Sequence, residues 1–177
     1  MELKIHNVTR YYDDKLILDH INAHIEDKEA IAIIGPSGAG KSTLLRLLSK
    51  IEEPDDGSIC VNNNHLSEIN PEEYYKSIGF VFQAHTLFPH LTVLRNITLV
   101  LEQVHKHSKE KASETAITLL KHFELEDHMH KRASQLSGGQ SQRVSIVRSL
   151  AITPEVLFLD EPTSALDPVL TQEVLNT

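Results

Sequence analysis

Several things are scarce in this sequence, and each shortage narrows what the chain can be. It has one cysteine, Cys60, and no tryptophan in 177 residues. A single thiol cannot close an internal disulfide, which fits a reducing cytosol. No apolar run approaches the ~20 residues that span a bilayer. The start, Met1-Glu2-Leu3-Lys4-Ile5-His6, lacks the charged n-region and apolar core of a signal peptide. Basic charge is short as well: 17 Lys and Arg stand against 25 Asp and Glu, for a net charge of −8. A nucleic-acid surface needs a basic stripe, so this balance argues against one. What remains is the 40% hydrophobic and 24% charged composition of an ordinary soluble domain, long enough for a real core.

Histidine is the exception to scarcity, with eleven copies. His122, His128 and His130 lie close together, as do His105 and His107. No second ligand pair at a recognised metal spacing accompanies them, so solvated positions on helices and loops are expected.

The most informative stretch is Gly35-Pro36-Ser37-Gly38-Ala39-Gly40-Lys41-Ser42, followed by Thr43. It fits G-x-x-x-x-G-K-[ST]. Before it, Ala30-Ile31-Ala32-Ile33-Ile34 is a continuous, β-branched apolar run that predicts a buried parallel strand. After it, Leu44, Leu45, Leu47 and Leu48 recur at helical spacing. Glycines let the main chain approach a ligand, and successive N–H groups then form an anion nest at a helix start. Lys41 is expected on the β- and γ-phosphates, and the Ser42 hydroxyl on Mg²⁺, a hard cation that takes oxygen ligands.

Upstream, Leu3, Ile5 and Val8, then Leu16, Leu18, Ile21, Ala23 and Ile25, alternate as half-exposed strands do. Between them lies Tyr11-Tyr12-Asp13-Asp14, whose aromatics either stack on a purine base or pack on the surface. Downstream, Glu53-Pro54-Asp55-Asp56-Gly57 is a turn, followed by short strands near 58–61 and over Ser77–Phe82. Gln83 sits at the carboxyl end of the latter, where open α/β sheets bind ligands, and its amide carbonyl suits a metal or a water.

From about 92 to 151 the pattern turns helical. Val93, Ile97, Val100, Leu101 and Val104 give one apolar stripe, and Ala112, Ala116, Leu119, Leu120 and Phe123 another. Leu87-Phe88-Pro89-His90-Leu91, at the entrance, is either a partner-docking patch or part of the insert's own core. Leu136-Ser137-Gly138-Gly139-Gln140 then opens a helix, with Ser137 and Gln140 spaced as a capping box and the glycines at another anion-ready helix start. Finally, Val156-Leu157-Phe158-Leu159 is an apolar strand ending in Asp160 and Glu161. It is expected beside the strand that feeds the phosphate loop, with Asp160 on Mg²⁺ through water and Glu161 as base for the attacking water.

Taken in order, the loop at 35–42, Gln83, the pentapeptide at 136–140, the strand at 156–161 and Ser164-Ala165-Leu166-Asp167 resemble the ATP-binding cassette (ABC) ATPases over essentially the whole chain. The resemblance implies an α/β fold: a P-loop NTPase (RecA-like) core with an N-terminal antiparallel β segment and an α-helical insert subdomain. A single ABC ATPase domain then spans 1–177, with 1–86 and 152–177 in the core and 87–151 in the helical subdomain. It implies that Tyr12 stacks on adenine, that residues 35–43 bind ATP, and that Ser42, Gln83 and Asp160 serve Mg²⁺. Gln83 is implied as the lid glutamine, catalytic with Lys41 and Glu161. Ser137, Gly138, Gly139 and Gln140 are implied to close the site of a second copy in a head-to-tail homodimer, across an interface formed by Ser164–Asp167. Phe82-Gln83 and Leu87–Val93 resemble the ATPases of bacterial polar amino-acid importers, with 83–93 gripping a permease. That implies a cytoplasmic protein, peripheral on the inner face of the plasma membrane, with no nucleic-acid partner.

One departure stands out. Such ATPases continue with a helix, a core strand and a histidine on the γ-phosphate, whereas this sequence stops at Thr177. The fold is therefore expected to be incomplete at the C-terminus, with weak or absent hydrolysis. Competing readings are a cassette for another solute or for export, a module that binds nucleotide without hydrolysing it, and a cassette acting on DNA or the ribosome. The acidic balance counts against the last.

Overall fold

Two long stretches of alternating sequence at the N-terminus pair as antiparallel strands. In the computed structural model, which describes residues 2–84 and 86–161, β1 (Leu3–Tyr12) and β2 (Lys15–Ile25) meet across a turn at Asp13 and Asp14. Both tyrosines belong to β1. The register runs from Leu3 opposite Ile25 to Tyr12 opposite Lys15, with shifts between Ile5 and Val8, Val8 and Arg10, and Arg10 and Tyr11. β3 (Asp56–Val61) pairs with the other edge of β1, and the short β4 (Asn64–His65) with β3, so the sheet order is β2-β1-β3-β4. Alternate residues Leu3, Ile5, Leu18, Ile59 and Val61 are buried, together with Leu47 and Leu48 of the helix α1 (Lys41–Leu48). The chain divides into two compact units, Met1–Tyr75 and a second beginning at Lys76.

A short helix, α2 (Pro71–Ser77), crosses the division and was not expected. Tyr74 is its one buried residue, and its hydroxyl donates to Leu48 O at 2.7 Å. Burial pushes that phenol up to about 12.

In the second unit, β5 (Ile78–Val81) and β6 (Val156–Leu159) form a parallel pair, with Phe80 opposite Phe158. Three helices accompany them: α3 (Val93–Gln103), α4 (Lys109–His122) and α5 (Gly138–Leu150). The expected stripes make the core. Val93, Ile97 and Leu101 of α3, Ala112, Ala116 and Leu120 of α4, and Val144, Ile146 and Val147 of α5 are all fully buried. Val104, at the end of the first stripe, is 41% exposed because α3 has already ended. α5 lies close against β5: Ser149 Oγ donates to Phe80 O at 3.1 Å, and a Cβ at Gly79 would stand 2.8 Å from Leu157 and 3.1 Å from Ser149 O. Among the described residues, no helix is long and apolar enough to cross a membrane.

One expectation fails. Residues 30–34 form no strand; most of the segment is exposed, and Ile34 is 92% exposed. Within the second unit, β6 pairs with β5. A parallel strand needs a ladder to satisfy its backbone groups. Among the described residues the sheet of this unit, β2-β1-β3-β4, supplies none, so the apolar run forms no strand.

Candidate functional site

The phosphate loop lies in the first unit and is shaped by two glycines. Gly38 and Gly40 have φ of 79° and 86°, the left-handed region that favours glycine. At Gly40 the constraint is double, since a Cβ there would stand 2.7 Å from Leu18 Cδ2 and 3.2 Å from Ile17 O. Ala39 N–H donates to Pro36 O at 3.2 Å, closing the turn. Gly40 is the N-cap of α1, no side chain caps the helix, and its first turn holds no acidic residue. That arrangement suits an anion, because the positive end of the helix dipole meets neither a side-chain cap nor an acidic residue. Lys41 Nζ donates to Gly35 O at 3.0 Å and Pro36 O at 2.9 Å, so the ammonium is already folded onto the loop. Ser42 is half-buried and Thr43 buried.

The second unit gathers the polar ends of its parallel strands. Asp160 N–H donates to Val81 O at 2.9 Å, extending the ladder by one residue and burying Asp160 at 4% exposure. Glu161 then turns out of the ladder at φ 48°. Gln83 Nε2 donates to Glu161 Oε2 at 2.7 Å, across 78 residues of sequence. Two residues singled out separately, each for its place beyond a strand end, are therefore in contact. Within this unit Gln83 and Asp160 each carry a side-chain oxygen of the kind a hard cation takes, and in the first unit Ser42 does so separately.

The pentapeptide start of α5 is built as its spacing predicts. Ser137 Oγ accepts the Gln140 N–H at 3.3 Å, and Gln140 Oε1 accepts the Ser137 N–H at 3.0 Å. Gln140 Nε2 also meets His128 Nε2 at 2.7 Å, which fixes the far side of its amide. His128 is thus not a purely solvated histidine.

Comparison with known proteins decides the family. A family model described as "ABC transporter" matches residues 18–164. The chain belongs to the ABC transporter family. This ABC cassette is 47% identical to the glutamine transport ATP-binding protein GlnQ of Bacillus subtilis, covering 96% of this chain and 71% of that protein. It is 43% identical to the uncharacterized amino-acid ABC transporter ATP-binding protein YhdZ of Escherichia coli, covering 99% of this chain and 70% of that one. Among solved structures, the dimeric form of a bacterial ABC transporter cassette superposes with a TM-score of 0.88 at 36% identity, over 98% of this chain and 80% of that chain. The same cassette in a post-hydrolysis state, bound to ADP and Pi, gives 0.87. The P-loop NTPase fold expected from the sequence is borne out.

Within this ABC cassette, the apolar loop at 87–91 divides between its two readings. Leu87 packs against the helical core, whereas Phe88 is 43% exposed. Asn96, fully buried in α3, stitches the loop: its Oδ1 accepts the Phe88 N–H at 2.8 Å, and its Nδ2 donates to Phe88 O at 3.1 Å and Thr92 O at 3.0 Å. Arg148 of α5 holds the segment further back, donating to Thr86 O at 3.0 Å and Thr86 Oγ1 at 2.9 Å. Burial pulls the Arg148 guanidinium below its ordinary range. Sequence reasoning missed both; the one available signal was a polar Asn inside the otherwise apolar face of α3. Tyr12 is half-buried, with its hydroxyl on Glu52 Oε2 at 2.7 Å. Ser164, Ala165, Leu166 and Asp167 lie outside the described residues.

Proposed function

We propose that the chain is the ATP-binding and ATP-hydrolysing subunit of a bacterial importer, with amino acids as the transported class. The glutamine and amino-acid transport relatives support the class. A sulfate/thiosulfate import ATP-binding protein of Synechocystis is also 43% identical, so likeness of cassettes does not by itself read out the solute.

The observation that carries the catalytic part is the contact between Gln83 and Glu161 at the ends of β5 and β6. In this reading Glu161 accepts a proton from the attacking water, and Gln83 orients both water and carboxylate. The bare start of α1 and Lys41 hold the β- and γ-phosphates. Lys41 exchanges its two loop carbonyls for phosphate oxygens. Ser42, Asp160 and Gln83 would hold Mg²⁺, which neutralises charge developing on the transferred phosphoryl group. Tyr12 stacks on adenine.

Ser137, Gly138, Gly139 and Gln140 serve the nucleotide of a second copy in a head-to-tail homodimer, with Ser164–Asp167 at the interface. Closure depends on bound triphosphate, so the dimer's affinity differs before and after hydrolysis, as a two-state motor needs. Residues 83–93, with Phe88 as an exposed aromatic among them, face the permease, so the protein sits on the cytoplasmic side of the membrane. Residues 1–86 and 152–177 act as the nucleotide-binding core, and 87–151 as the helical subdomain.

Replacement of Glu161 tests the assignment. A general base contributes about 10²- to 10⁴-fold, so Glu161→Gln should lower ATP turnover of the full chain by about 100-fold or more while ATP affinity holds. Phosphate release at the parent rate would remove Glu161 from the role.

A further inference from the structure

Tyr12 is held from two directions inside the first unit. Its hydroxyl donates to Glu52 Oε2 at 2.7 Å, and the Arg10 guanidinium lies over its ring, 5.2 Å from the centroid. Arg10 and Tyr12 are two apart on β1 and so share a face of the strand. Arg10 is itself anchored. One guanidinium nitrogen donates to Glu52 Oε2 at 3.2 Å and another to Asp55 Oδ1 at 3.1 Å. The other Asp55 oxygen accepts the Tyr11 backbone N–H at 2.7 Å, and the Asp55 N–H returns to Thr9 O at 3.0 Å. Glu52 Oε1 accepts from Arg46 of α1 at 3.4 Å. One carboxylate therefore joins the tyrosine, the arginine over it and the helix that follows the phosphate loop.

A surface tyrosine that only packs has no need of this arrangement. A tyrosine that must present one ring face to a ligand does. The ring has two faces; Arg10 lies over one, and in this reading the base takes the other. The hydroxyl bond to Glu52 fixes the ring's rotation, so stacking a base does not cost the rotamer freedom of a loose side chain. We propose that Arg10 and Glu52 are positioning residues that set the Tyr12 ring to stack on a purine base, and that Arg46 ties this setting to α1. The proposal rests on the reading of Tyr12 as the adenine contact.

The test is a titration of the full 177-residue chain with two ligands: ATP, and inorganic tripolyphosphate, which carries the phosphates without a base. Tyr12→Ala should weaken ATP by about 5- to 100-fold, the worth of one base on an aromatic ring. Glu52→Gln, which removes the charge from the acceptor, and Tyr12→Phe, which removes the donor, should each weaken ATP by about 3- to 10-fold, and the double variant by no more than the stronger single, because both act on the one charge-assisted bond. Arg10→Ala should cost about 2- to 5-fold, as a partly exposed cation–π contact does. Tripolyphosphate affinity should hold in every variant, which loss of structure would not allow. Tyr12→Phe keeps the ring and its packing and carries the test if Glu52→Gln does not fold. If Tyr12→Ala weakens ATP while Tyr12→Phe and Glu52→Gln bind as the parent does, the positioning role is overturned and the adenine contact stands. Parent affinity in Tyr12→Ala removes the contact and the inference together. Equal loss of ATP and tripolyphosphate overturns the proposal in favour of a structural role.

Discussion

The chain starts two helices at glycine-containing motifs, and it builds them in opposite ways. α1 begins at Gly40 with φ 86°, no side-chain cap and no acidic residue in its first turn. α5 begins at Ser137 with φ −69° and a complete capping box closed by Gln140. The first start has no side-chain cap of its own. The second satisfies the Ser137 and Gln140 N–H groups from within, so its shape is set before any ligand arrives. Both motifs read as anion sites from sequence alone. The structure separates them into a start that waits for its ligand and a start that is preformed, with its glycine N–H groups at Gly138 and Gly139 still to offer. That division suits a site whose first half binds nucleotide alone and whose second half is delivered ready-made by another copy.

The comparison can be broken at either end, with unequal effects. The larger effect belongs to Gly40→Ala. A side chain there meets the positive φ and the Leu18 methyl 2.7 Å away. Backbone strain and overpacking together should cost about 2–5 kcal/mol in urea unfolding. A smaller effect belongs to Ser137→Ala, where loss of the cap should cost about 1 kcal/mol. It should leave ATP affinity of the single chain unchanged if, as proposed, the pentapeptide serves the nucleotide of a second copy. Weakened ATP binding by isolated Ser137→Ala would place the pentapeptide in its own chain's site and dissolve the contrast.

Much of this was legible in the sequence wherever a local rule was enough. Alternation at Leu3, Ile5 and Leu18 gave the antiparallel sheet, helical spacing at Val93, Ile97 and Leu101 gave α3, and the Ser137–Gln140 interval gave a cap that is found atom for atom. Gln83 and Glu161 were each found from position beyond a strand, but their contact spans 78 residues and no local pattern encodes it. The same holds for Arg10 and Glu52, 42 residues apart. α2 was missed because it is seven residues long and buries only Tyr74, too little to show a period. The run at 30–34 was misread for the converse reason. Its composition suits burial in a sheet, but composition carries no information about which strand, if any, stands beside it to complete the ladder.

The central claim is that ATP is held by the bare start of α1 through Lys41. The direct measurement is the unfolding midpoint of the chain with and without saturating ATP and Mg²⁺, taken on the parent, Lys41→Ala and Ser137→Ala at a concentration where the chain is monomeric. A ligand that binds the folded state alone must raise that midpoint. The ATP-dependent rise should be the same in the parent and Ser137→Ala, and lost in Lys41→Ala. A rise in Lys41→Ala equal to the parent's would contradict the central claim.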